Sequence, residues 1–157
     1  MVPSHHAPVY TNLAYLLLAY ALENMTGAHF PDLMNSTILH PLSLTSTYYP
    51  LAPSSATKRA IIPFEDTSAW YSTNLRPLNP GGAVYSTTKD MRTFGKSILN
   101  STLLSSALTR RWLKPHSFTP DRHISVGAPW EIMTYPSTSR FPVRIYSKAG
   151  TSLCTAR

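Results

Sequence analysis

Three short patterns in the chain place reactive side chains at spacings that chemistry could use. Tyr10-Thr11-Asn12 sets a phenol two residues from a carboxamide, just ahead of a strongly apolar run. A phenol can pass a proton and an amide can hold a substrate carbonyl. The same residues also suit a structural role, with Tyr10 a half-buried aromatic and Asn12 a helix N-cap. Ser147-Lys148-Ala149-Gly150 puts an ammonium beside a glycine that another chain can approach closely; a solvated strand-end lysine is the alternative. Ser-x-x-Lys, a spacing that can pair a nucleophile with a base, occurs at Ser55-Ala56-Thr57-Lys58 and Ser86-Thr87-Thr88-Lys89. Chance alone gives such matches in a serine-rich chain. The first falls in a proline-flanked loop, and the second at a helix start where Ser86 and Thr87 read as capping residues, so neither serine is expected to be a nucleophile.

These groups must be carried by regular elements. Apolar residues at Leu13, Leu16, Leu17, Tyr20, Ala21 and Met25 predict a core helix over Asn12–Thr26, stopped by Gly27. A shorter helix is expected from Asp32 to Ile38, ended at His40-Pro41. Pro41 to Pro80 has no sustained period and reads as a long irregular region. Gly81-Gly82 predict a tight backbone passage, and Thr87 with Asp90 forms a capping pattern before a helix over about Thr88–Asn100 that carries Met91, Phe94, Ile98 and Leu99. Another helix is expected near Ser105–Leu113. Beyond it, "SVGAPWEIMTYP" and "FPVRIYSK" read as strands that could pair, with Val143 and Ile145 on one face of the second and Arg144 and Tyr146 on the other.

The chain of 157 residues is 43% hydrophobic and 13% charged, which argues for a packed core and against disorder. Fourteen prolines against six glycines indicate long pinned loops. The net charge of +7 is dispersed, with Lys58-Arg59 and Arg110-Arg111 the adjacent basic pairs and no nucleic-acid motif, so a nucleic-acid partner is not expected. The run Leu13–Leu22 is too short to span a bilayer, and no membrane partner is expected. The single Cys154 rules out an internal disulfide, and the histidines lack metal-ligand spacing, so no metal or cofactor is expected. As written the chain begins without a secretory signal, although Asn24-Met25-Thr26, Asn35-Ser36-Thr37 and Asn100-Ser101-Thr102 are glycosylation sequons that would matter only in a secreted protein. Location is left open.

Taken together, Tyr-x-Asn, then "PGGAVYSTTKDM" opening a helix, then "PWEI", then a strand ending in Lys-x-Gly is a specific order. It resembles the serine β-lactamase, penicillin-binding protein and transesterase family, particularly its fungal β-lactamase-like members, from "APVYTNLAYLLLAYALENMTG" to "RIYSKAG". The resemblance implies an α/β (α+β) fold, here a partial β-lactamase or transpeptidase-like domain over residues 1–157. It would comprise mainly the helical part plus one or two strands of the central sheet, truncated at both ends. It implies acyl transfer through an acyl-serine on a small ester, amide or β-lactam-type substrate. Tyr10 and Lys148 would be the catalytic residues, and Asn12 and Gly150 the substrate-binding ones. The family's Ser-x-x-Lys would lie upstream of Tyr-x-Asn, where nine residues here hold no such motif. The chain alone is therefore expected to be inactive; a non-catalytic remnant that binds a ligand or partner is the alternative.

Overall fold

The computed structural model describes residues 10–57, 74, 76–137 and 141–149. The chain divides into two compact units, one of Thr11–Leu103 and one of Leu104–Arg157 together with Met1–Tyr10. In the first, helix α1 runs over Asn12–Thr26, bounded as its apolar period predicts. Thr11 caps it, its hydroxyl accepting from Leu13 N at 3.2 Å. Gly27 ends it in the left-handed conformation at φ 72°, its N–H donating to Glu23 O, a geometry that a side chain would strain. Leu16 and Ala19 are buried, but Leu13, Leu17, Tyr20 and Met25 are exposed, the last by 80%, which corrects the expectation of a core helix. The apolar residues go nearly all round the helix, and the described neighbours cover only one side of it.

Helix α2 is short, Phe30–Met34, and passes into a π-helical turn over Asn35–Leu39. Ser36 and Thr37 there donate their hydroxyls back to the carbonyls of Asp32 and Leu33, a competition that loosens a regular helix. Glu23 serves α2 from α1: its Oε1 accepts from Phe30 N at 2.7 Å, satisfying one of the free donors at the helix start. Phe30 meets Tyr49 edge-on at 5.5 Å. Burial, and then the Glu23 carboxylate, push the Tyr49 phenol above its ordinary value.

The expected irregular region holds a helical turn α3 at Ser54–Thr57 and a 3-10 turn over Arg76–Gly81. Helix α4 spans Thr88–Leu99, with Thr87 Oγ1 accepting from Asp90 N at 3.3 Å. Of the apolar residues it carries, Met91 and Leu99 are exposed and Phe94 and Ile98 half-buried. Asp90 is only 4% exposed, and its carboxylate crosses to another segment, accepting from Ser46 N at 2.8 Å and Thr47 Oγ1 at 2.9 Å. One residue on, Tyr48 and Tyr85 exchange backbone hydrogen bonds of 2.8 and 3.0 Å in an isolated antiparallel bridge.

The second unit has helix α5, Ser106–Trp112, and an antiparallel sheet of β1 (Ser117–Phe118), β2 (Ile124–Val126), β3 (Glu131–Tyr135) and β4 (Val143–Ser147), in that order. The expected pairing is present, with Glu131 opposite Ser147 and Met133 opposite Ile145. The two-residue β1 is too short to show a period in the sequence, and β2 is set off from β3 by the Gly127–Pro129 turn. Ser125 and the fully covered Ile132, 1% exposed, mark the inner face. At the edge of the β2–β3 ladder, His123 N donates to Asp121 Oδ1 at 2.8 Å. The His123 ring takes over that N–H's place, with Nδ1 3.2 Å from Thr134 O and Nε2 accepting from Arg122 Nε at 3.2 Å.

Replacing Asp90 by Ala leaves a backbone N–H and a buried hydroxyl without their acceptor, and should cost about 2–3 kcal/mol in urea unfolding. For Tyr49, the unfolded phenol ionises first, near pH 10. Its contribution is therefore complete below that pH and lost as pH rises through the higher folded value. Tyr49→Phe should flatten the alkaline fall of stability above about pH 10, followed by thermal melting.

Candidate active site

Asn12 is the first residue of α1, and the cap is Thr11, so the alternative reading of Asn12 as N-cap is displaced by one residue. The backbone of the 3-10 turn lies directly against it. A Cβ on Gly81 would stand 3.0 Å from Asn12 Cβ and 3.2 Å from its carbonyl oxygen, so only glycine fits without movement. Gly82, by contrast, would have nothing within 4 Å. The turn is held by Asn79, whose carbonyl accepts from Gly82 N at 3.1 Å and Ala83 N at 2.9 Å and whose buried amide donates to Asn74 Oδ1 at 2.9 Å. The glycine pair is legible in the sequence; its partner is not, because 69 residues separate Gly81 from Asn12.

In the other unit, Lys148 follows the last residue of β4, and its Nζ lies 4.4 Å from the centre of the Tyr10 ring. Cation and π-face attract by about 0.5–1 kcal/mol at such exposed positions. The ammonium also donates to Ala149 O at 2.5 Å. Tyr10 is 64% exposed, so it is not the half-buried aromatic of the structural alternative. The approach to Lys148 is stiffened by aromatics: Tyr146 packs edge-on against Trp130 at 6.4 Å, and Trp130 lies 5.0 Å from Trp112. Trp112 Nε1 in turn donates to Ala128 O at 2.7 Å. Sequence reading singled out "PWEI" without assigning Trp130 this role.

The structure thus brings Tyr10 and Lys148 together. Asn12 belongs to the other unit, and Gly150 lies outside the described residues. Ser55 sits in α3, not in a loop, and Lys58 lies outside the described residues. Ser86 shares a 2.9 Å hydrogen bond with Thr47, consistent with a structural serine, and Thr87 is the cap. Among the described residues no three His, Cys, Asp or Glu side chains gather to hold a metal, and no helix is long and apolar enough to cross a membrane.

Helices together with a four-stranded antiparallel sheet define an α+β protein. Its likeness to solved structures agrees. A D-amino acid amidase from Ochrobactrum anthropi superposes with a TM-score of 0.66 at 21% identity, covering 93% of this chain and 45% of that one. A D-stereospecific amidohydrolase from Streptomyces sp. gives 0.70 at 19%, covering 94% and 44%. The β-lactamase family model matches residues 2–156, and the chain belongs to that family. A β-lactamase-like protein of Arthroderma benhamiae is 34% identical over 153 residues, 93% of this chain. The chain spans about a quarter of that relative's length, 24%.

Gly81→Ala should push the 3-10 turn from α1 and cost about 1–3 kcal/mol. The Asn12 side-chain amide resonance should shift with it, and Gly82→Ala should leave that resonance in place.

Proposed function

We propose that the chain contributes the tyrosine, asparagine and lysine of a β-lactamase-like serine hydrolase or acyltransferase, whose substrates are small esters, amides or β-lactam-type molecules. The observation that carries this reading is the Lys148 ammonium seated 4.4 Å from the Tyr10 ring centre. In a chain of this family, a cation beside a phenol supports the reading that Tyr-x-Asn and Lys-x-Gly act together.

A serine brought to this pair attacks the substrate carbonyl, forms an ester to the acyl group and releases the amine or alcohol; water or another acceptor then takes the acyl group. Tyr10 relays the proton from the attacking serine to the leaving group, and Lys148 supplies a positive field at the reacting centre. Asn12 orients the acyl amide. Gly150 completes a backbone that substrate can approach. The solved neighbours named as D-amino acid amidase and D-stereospecific amidohydrolase make D-configured amides the first substrates to try.

The nucleophile is not among these three residues, so the 157 residues on their own turn over nothing by this route. The exposed apolar side of α1 favours a second reading, a non-catalytic chain that binds a partner. Alone, the chain should neither hydrolyse nitrocefin or p-nitrophenyl esters nor take up fluorescent penicillin. Labelling that survives Tyr10→Phe and disappears in Ser55→Ala would overturn the reading. Put in place of the matching 153-residue segment of the Arthroderma benhamiae relative, it should become labelled, and Lys148→Ala should slow that labelling about a hundredfold or more.

A further inference from the structure

The three Asn-x-Thr sequons are motifs that neither the fold nor acyl transfer uses. Three of the chain's six asparagines are followed two residues on by threonine, where 18 threonines among 157 residues predict roughly one asparagine in nine. That excess points to a chain handled in the secretory pathway, where such asparagines take N-linked sugar. All three sequons lie in the Thr11–Leu103 unit, and Asn24, Asn35 and Asn100 are all exposed. Exposure alone does not choose among them; the backbone and the threonine hydroxyl do.

An acceptor asparagine is drawn out of its local fold into the transferase, with the hydroxyl two residues on free to dock beside it. Asn24 stands near the end of α1, and Thr26 is engaged twice, its Oγ1 donating to Leu22 O at 2.7 Å and accepting from Ala28 N at 3.4 Å. Asn35 opens the π-helical turn, where its carbonyl accepts from His40 N at 2.9 Å and Thr37 Oγ1 donates to Leu33 O at 2.5 Å. Presenting either one means undoing helical hydrogen bonds. Asn100 instead follows the last residue of α4, and Ser101 turns the chain at φ 54°. Ser101 N and Thr102 N donate back to Ile98 O at 3.1 Å and Ser97 O at 2.9 Å. The Thr102 side chain is exposed, and its hydroxyl has no hydrogen-bond partner among the described residues. A terminal turn of this kind opens at little cost.

We infer that Asn100 is a site of N-linked glycosylation, chosen over Asn24 and Asn35 by its place on an open turn with a free threonine hydroxyl. In the transfer, Asn100 Nδ2 bonds to the anomeric carbon of an oligosaccharide carried on a lipid diphosphate. The carbon–oxygen bond to the diphosphate breaks, the lipid diphosphate leaves with the electron pair, and the amide gives up one proton in exchange for the sugar. Nothing in this modification draws on Tyr10, Lys148 or an acyl-enzyme.

The full chain, translated behind a cleavable leader with endoplasmic-reticulum microsomes, tests it by gel mobility before and after endoglycosidase, with protease protection showing that the chain has entered the lumen. One endoglycosidase-sensitive shift is expected. Asn100→Gln and Thr102→Ala should each abolish it, whereas Asn24→Gln and Asn35→Gln should leave it in full. A protected chain that takes no sugar, a shift that survives Asn100→Gln, or two or more glycans on the unaltered chain overturns the assignment.

Discussion

The buried carboxylate of Asp90 is the tie on which the Thr11–Leu103 unit depends. Capping patterns of this kind usually send the acidic side chain back to the cap of its own helix. Here the backbone N–H of Asp90 uses Thr87, and the carboxylate is free to reach Ser46 and Thr47, more than forty residues earlier in the chain. That fixes the start of α4 to the segment that enters the Tyr48–Tyr85 bridge. From Tyr85 the chain is four residues from Gly81, whose bare Cα lets the 3-10 turn lie on Asn12. A desolvated acid, a two-residue bridge and a glycine thus transmit position to the first residue of α1.

The second unit positions Lys148 differently. Its sheet is small, and one face is held by aromatic contacts rather than by a broad aliphatic core. Trp112 is anchored to Ala128 O, Trp130 leans on Trp112, and Tyr146 meets Trp130 from β4. Large rings bury much surface with little loss of rotamer freedom, which suits a sheet with strands of two to five residues. Lys148 follows Tyr146 by two residues and inherits that placement.

What was legible in the sequence follows the range of the forces involved. The α1 limits, the Thr87 cap and the β3–β4 pair are local in origin, set by period, hydroxyl and glycine, and they stand in the structure as read. The four-stranded sheet extends the one or two strands expected, because β1 and β2 are too brief for alternation to show. Burial was the poorer inference. A period says which residues share a side of a helix, not whether anything covers it, so Leu13 and Met25 were read as core and are exposed. Of the site, the residue types and their order were readable, whereas the approach of Lys148 to Tyr10 depends on how 138 residues of chain return on themselves.

The histidine at the rim of the second unit's hairpin has a meaning for descent. Both nitrogens of His123 are engaged, Nδ1 in the place of a missing ladder donor and Nε2 by Arg122. The position therefore asks for a donor at the δ position of a short side chain and makes no demand for imidazole chemistry. Asparagine carries its N–H₂ at that point and could succeed histidine there with the backbone unchanged. Glutamine or lysine, whose donors lie one or more bonds further out, could not. Among relatives, variation at this position between histidine and asparagine would be drift within one hydrogen-bonding role, not the loss of a reactive group.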